Sequence, residues 1–122
     1  MASVGKHLVL DLKDCDRKRI SDCDFLKETL LAACTVAGAT ILSNSFHSFP
    51  PYGGVSGVVI IAESHFSVHT WPEYCYAAID IFTCGDSLQP EKAVDLLVRE
   101  LQAKDHSILV LDRGIINSLV ES

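Results

Sequence analysis

Long apolar runs are missing from this chain. No segment approaches the roughly 18 uninterrupted apolar residues of a membrane-spanning helix. A secretory pattern is missing too, because Lys6, His7 and Asp11 interrupt the first apolar stretch. There is no surplus of positive charge. The net charge is −6, and the longest basic cluster, Arg17-Lys18-Arg19, is flanked by Asp14, Asp16 and Asp22. That cluster reads as a solvated turn or the approach to a helix, and the balance argues against a nucleic-acid partner. Cysteines are few and unpaired by pattern: Cys15, Cys23, Cys34, Cys75 and Cys84 make an odd number without a C-x-x-C. Free thiols fit a reduced, cytoplasmic compartment. Repeats, low-complexity tracts and linkers are absent as well, so residues 1–122 are expected to form one domain.

What is present suffices for a modest core, since 48% of the residues are apolar. Residues 3–12 read as a strand with Leu8, Leu10 and Leu12 on one face and His7, Val9 and Asp11 on the other. A helix is predicted from Ser21–Asp24 to just before Gly38, with Leu26, Leu30, Ala33, Cys34 and Ala37 as its apolar stripe. Residues 39–47 form a second strand, and Phe49-Pro50-Pro51-Tyr52-Gly53-Gly54 a tight loop. Val55–Ala62 is a continuous apolar strand and is expected to be central; Tyr76–Thr83 is a fourth. Pro90 opens a second helix with Ala93, Val94, Leu97, Val98 and Leu101 on its apolar face. Residues 107–112 are a last strand, and 115–122 a loose tail. The order predicts an α+β two-layer sandwich with both helices on one side of the sheet. A second subunit is the simplest cover for the other side.

Chemistry concentrates between Ala62 and Glu73, where polar, nucleophile-capable groups follow the apolar strand. His65 and His69 are four apart, but Glu63 precedes them, so the H-E-x-x-H pattern is absent. Phe66, Val68, Thr70, Trp71 and Pro72 favour extended chain. A zinc site of His65, His69 and Cys84 is the metal alternative, and no metal is expected. Ser64 and His69 are a candidate nucleophile and base, with Glu63, Glu73 or Asp80 as third member. The plainer reading is a loop serine and a strand-end histidine, because no G-x-S-x-G elbow is present. Cys84, between Thr83 and Gly85, reads either as a semi-exposed proton-donating thiol or as a small buried hydrophobe. Cys15, Cys23 and Cys34 read as core residues.

Several motifs coincide in order: Gly5-Lys6-His7-Leu8, Gly38-Ala39-Thr40, Phe46-His47-x-Phe49, Val55-Ser56-Gly57-Val58-Val59, Glu63-Ser64-His65, His69-Thr70-Trp71-Pro72-Glu73 and Ala77 to Gly85 with Phe82-Thr83-Cys84-Gly85. Together they resemble S-adenosylmethionine decarboxylase of the small bacterial and archaeal type. The pieces run from residue 5 to 85, and the helix and strand beyond fit that family's layout. The resemblance implies a proenzyme that cuts itself between Glu63 and Ser64, giving chains 1–63 and 64–122. Ser64 Oγ would attack the Glu63 carbonyl, and β-elimination and loss of ammonia would leave a pyruvoyl group at position 64. Ser56 and His69 would assist this processing, with His69 the base for the α-proton.

The same resemblance implies that the pyruvoyl cofactor forms a Schiff base with S-adenosylmethionine and accepts electrons as CO₂ leaves, with Cys84 returning a proton to carbon. Phe49 would stack on adenine and Glu73 would hold the ribose hydroxyls. The site would lie at a homodimer interface, and the product would serve spermidine synthesis. Two departures stand out. Gly53-Gly54 makes the loop one glycine longer than the family's usual run, and Cys75 stands where a glycine is usual. Both bear on the pocket rather than on Ser64, His69 and Cys84. A substrate change to ornithine or arginine is therefore the alternative within enzymes. The alternative of another class is a non-processing partner subunit, which predicts loss of Ser64, His69 or Cys84; all three are present.

Overall fold

Alternation of side chains builds the sheet and decides which face is covered. The computed structural model describes residues 2–116. In β1 (Ala2–Lys13), Leu8, Leu10 and Leu12 are buried, while His7, Val9 and Asp11 keep partial access to solvent. The same period runs through β3 (Gly54–Ile61), β4 (Ser64–Trp71) and β5 (Tyr76–Cys84). With β2 (Ile41–Phe49) and β6 (Asp105–Ile116) they form one sheet in the order β2-β3-β4-β5-β1-β6. Every neighbouring pair is antiparallel.

The helices cover one face only. Asp22 caps α2 (Cys23–Val36) by accepting from the Phe25 backbone N–H at 3.0 Å. Leu26, Leu30, Ala33 and Cys34 then fall on the buried side. The chain leaves α2 through Gly38, whose φ of +87° is left-handed, and the Ala39 N–H bonds back to the Cys34 carbonyl at 3.0 Å. Pro90 opens α3 (Pro90–Glu100), and Ala93, Val94, Leu97 and the following Leu101 are buried. These side chains meet Val59, Ile61, Phe66, Val68, Ile79 and Ile81 in one core layer. The expected α+β two-layer arrangement is what the chain adopts.

Four details differ from the sequence expectation. Residues 64–71 are a sixth strand, because Phe66, Val68 and Thr70 alternate with His65, Ser67 and His69 and bury one face. The strand β3 is second from the edge rather than central; β4 and β5 hold the middle. Its continuous apolar run reflects a bare face as well as a core face, since Ile60 is 39% exposed. The Arg17–Ile20 segment is a short helix, α1, capped by the Asp16 carboxylate. The expected tail shortens, because β6 runs to Ile116; residues 117–122 lie outside the described residues.

The loop between β2 and β3 follows its turn residues. Gly53 has φ +77°, and its N–H bonds to the Phe49 carbonyl at 3.0 Å. A Cβ on Gly54 would stand 2.9 Å from the Thr70 carbonyl oxygen. Each glycine thus has its own backbone reason, one conformational and one steric.

Candidate functional site

The Glu63–Ser64 junction lies in the turn between β3 and β4. Glu63 has φ +65°, a left-handed conformation that a residue with a Cβ adopts at a cost. Its carbonyl oxygen accepts a hydrogen bond from the Cys84 thiol at 3.0 Å. Cys84 reaches it from the end of β5, where Gly85 at φ +72° turns the chain away. Ser64 Oγ is buried and, among the described residues, has no hydrogen-bond partner. A buried hydroxyl without a partner is destabilising in itself. Here it sits one residue after a carbonyl that a thiol already polarises. A serine Oγ can attack the preceding carbonyl carbon through a five-membered ring. Glu63 and Cys84 line a small cavity of about 140 Å³, with Gly38, Ala39, Thr40 and Ser87 on its walls.

A second cluster occupies the other end of β3 and β4. Ser56 and His69 are register partners across these strands. Their side chains share a hydrogen bond, Ser56 Oγ to His69 Nδ1, at 2.9 Å. The tautomer decides which group donates. They stand with Phe49, Pro51, Trp71 and Glu73 around a cleft of about 370 Å³. That volume is in the range of small-molecule sites. Phe49 is 51% exposed, with its ring free to stack. Glu73 belongs to a single 3₁₀ turn, Pro72–Tyr74, that follows β4 directly. The end of β4 is anchored underneath. Buried Thr70 Oγ1 donates to the Ile20 carbonyl at 2.7 Å and accepts from the Val55 N–H at 2.9 Å. Gly53-Gly54 lies in the loop that brings Phe49 to this cleft, and Gly54 lines it.

Within one chain these clusters stay apart. Ser64 and His69 occupy one strand five residues apart, which is about 17 Å of extended chain. The first cluster holds Glu63, Ser64 and Cys84; the second holds Phe49, Ser56, His69 and Glu73. His65 and His69 are likewise about 13 Å apart along β4, too far to bind one zinc ion at bond lengths near 2 Å. His65 instead stacks on Phe82, ring centroids 5.9 Å apart. Asp80 is engaged by His7 at 2.9 Å and by the Ser67 hydroxyl at 3.4 Å, so it is not a partner of His69.

Sequence reasoning missed this polar row on the bare face of the sheet. Besides His7, Ser67 and Asp80 it contains Tyr76, whose hydroxyl donates to the Asp11 carboxylate. That bond, helped by burial, pushes the Tyr76 phenol up to about 12. The available signal was the alternation itself, which places Asp11, Tyr76 and Asp80 on the face opposite the leucines and isoleucines. Cys15 and Cys34 are buried as expected; burial pushes the Cys34 thiol up to about 12.

Comparison with known proteins places the chain in a family. The family model described as S-adenosylmethionine decarboxylase matches residues 6–114. An S-adenosylmethionine decarboxylase proenzyme from Thermodesulfovibrio yellowstonii is 45% identical over 117 residues, covering 96% of this chain and 86% of that one. One from Prochlorococcus marinus is 50% identical over 110 residues, covering 90% and 87%. One from Pseudomonas aeruginosa is 49% identical over 112 residues, covering 92% and 69%. Among solved structures, the adenosylmethionine decarboxylase of Aquifex aeolicus superposes with a TM-score of 0.88 at 35% identity, covering 96% of both chains. The chain belongs to the S-adenosylmethionine decarboxylase family, a family of enzymes.

Proposed function

We propose that this chain is a proenzyme that cuts itself between Glu63 and Ser64, keeps the resulting pyruvoyl group as its cofactor, and decarboxylates S-adenosylmethionine in the cytoplasm. The product is an aminopropyl donor suited to spermidine synthesis. The observation that carries the reading is the junction: a left-handed Glu63, its carbonyl held by the Cys84 thiol, and the next residue's Ser64 Oγ, which has no hydrogen-bond partner among the described residues. In an N→O acyl shift, Ser64 Oγ bonds to the Glu63 carbonyl carbon, and its proton passes to the departing amide nitrogen. Cys84 donates to the oxygen where negative charge develops. A base then removes the Ser64 α-proton, and the Glu63 carboxylate leaves. Addition of water and loss of ammonia complete the cofactor, and no metal is required.

The residues present fit that group. The Cys84 thiol reaches the junction with a 3.0 Å hydrogen bond to the Glu63 carbonyl. When formed, the pyruvoyl carbonyl supplies an electron sink for loss of CO₂. Phe49 gives an aromatic face for adenine, and Glu73 a carboxylate for two ribose hydroxyls. His69 acts as base through Nε2 when its Nδ1–H donates to Ser56 Oγ, and the 2.9 Å bond holds the ring for that role. His69 lies about 17 Å from its own Ser64. A homodimer packed through the bare sheet face answers this, with each Ser64–Cys84 end meeting the partner's Ser56–His69–Glu73 end.

The test is turnover of S-adenosylmethionine, ornithine and arginine, each labelled at the carboxyl carbon. Release of CO₂ from S-adenosylmethionine alone is expected; turnover of ornithine or arginine instead would overturn the substrate assignment. Glu73→Gln is expected to raise KM roughly 10- to 100-fold with a smaller change in kcat, because hydrogen bonds to a charged group contribute about 1.5–3 kcal/mol.

A further inference from the structure

We propose that Cys15 and Cys75 form a reversible disulfide that ties residues 1–63 to residues 64–122. Cys15 follows β1 and Cys75 precedes β5, two strands that pair with Leu12 opposite Ala77. Beyond that pair the ladder is bent, because Asp14 and Cys75 both take left-handed backbone, with φ of 53° and 52°. The bend brings the Cys15 N–H onto the Cys75 carbonyl at 2.9 Å. One backbone bond of that length holds two Cα atoms at roughly the 4.4–6.8 Å separation of disulfides.

The side chains agree with the backbone. Burial pushes the Cys15 thiol up to about 11, and the charge of the neighbouring Cys75 thiol adds to the effect. Cys15 is only 4% exposed, whereas Cys75 is half-buried and open to a small reagent. A left-handed position suits glycine, so a side chain at Cys75 carries a conformational cost. The remaining cysteines are placed otherwise: Cys34 on the core face of α2, Cys84 on the Glu63 carbonyl, and Cys23 at the start of α2.

The chemistry is thiol–disulfide exchange with a low-molecular-weight disulfide as oxidant. The Cys75 thiolate attacks one sulfur of that disulfide and releases a small thiolate. Cys15 then loses its proton and attacks the Cys75 sulfur, which releases the second small thiolate. Two cysteines are oxidised, one disulfide is reduced, and two protons pass to the released thiols. Cys15 also precedes Asp16, the cap of α1, and Cys75 follows the turn that carries Glu73. The crosslink would therefore fix the Glu73 end of the cleft. Its formation does not depend on self-cleavage; only the tie between two separate chains rests on the proposed function.

The experiment treats the purified protein with oxidised glutathione, blocks free thiols with iodoacetamide and measures intact mass after unfolding without reductant. In cleaved protein the two chains are expected to travel as one species that dithiothreitol separates. Cys75→Gly, which suits the left-handed backbone, and Cys15→Ala are each expected to release two chains. If the chain is uncut, the same bond appears as loss of two hydrogens from the 13.3 kDa chain and as a Cys15–Cys75 crosslinked peptide, so failure of cleavage is told apart from failure of the disulfide. Alkylation of all five cysteines after oxidation, a glutathione adduct on Cys75 that does not resolve, or a link that survives Cys75→Gly would each overturn the proposal.

Discussion

Ser64→Ala leaves one uncut chain of about the full 13.3 kDa and no decarboxylase activity. The substitution removes the one atom that would attack Glu63 and leaves the strained turn and the Cys84 contact in place. It also removes a buried hydroxyl that has no partner among the described residues. An unsatisfied group of this kind costs about 1–3 kcal/mol, so the variant should be at least as stable as the parent precursor. Loss of cleavage together with an unchanged or raised Tm separates chemistry from misfolding. Ser64→Cys supplies a control, since a thiol can make the same attack and should cut slowly. Cleavage at normal speed in Ser64→Ala would remove the serine from the mechanism altogether.

The second large effect is rescue between two dead variants. Ser64→Ala and His69→Ala should each be inactive alone, by several orders of magnitude, because the proposed mechanism needs both nucleophile and base. Coexpressed, they should recover about half of the parent activity per mixed dimer. The reason is the placement of the two clusters at opposite ends of β3 and β4, with about 17 Å of strand between Ser64 and His69. In the proposed mixed dimer one composite site would inherit an intact Ser64–Cys84 end from one chain and an intact Ser56–His69 end from the other. The second composite site would inherit both defects. Affinity tags on each chain isolate the mixed species, and CO₂ release from S-adenosylmethionine reads the rescue. No recovery in purified mixed dimers would mean that each chain completes its own site by a rearrangement of β4.

Most of the fold could be read from alternation and capping. Leu8, Leu10 and Leu12 marked the covered face, Leu26 to Cys34 marked α2, and Gly38 and Pro90 marked its end and the start of α3. β4 was harder to read because its polar half, His65, Ser67 and His69, looks like a loop unless the bare face of the sheet is known. β3 misled for the converse reason: Val58 and Ile60 are apolar yet not covered by this chain. A strand that awaits a partner surface carries the same pattern as a strand buried in the middle of a sheet. At the candidate site, Ser64, His69 and Cys84 could each be singled out from the sequence as candidates. Their grouping was not, because register and strand length set which side chains meet. The Cys84 contact to Glu63 and the Ser56 contact to His69 are cross-strand facts that no local spacing contains.

Intact mass of the unmodified protein, taken after prolonged incubation and full reduction, tests the central claim most directly. The account predicts two species: residues 1–63 ending in a free carboxylate at Glu63, and residues 64–122 lighter than the encoded segment and blocked to N-terminal sequencing by a pyruvoyl group. A single species of 13.3 kDa with Ser64 intact, from protein that nevertheless turns over substrate, would contradict it.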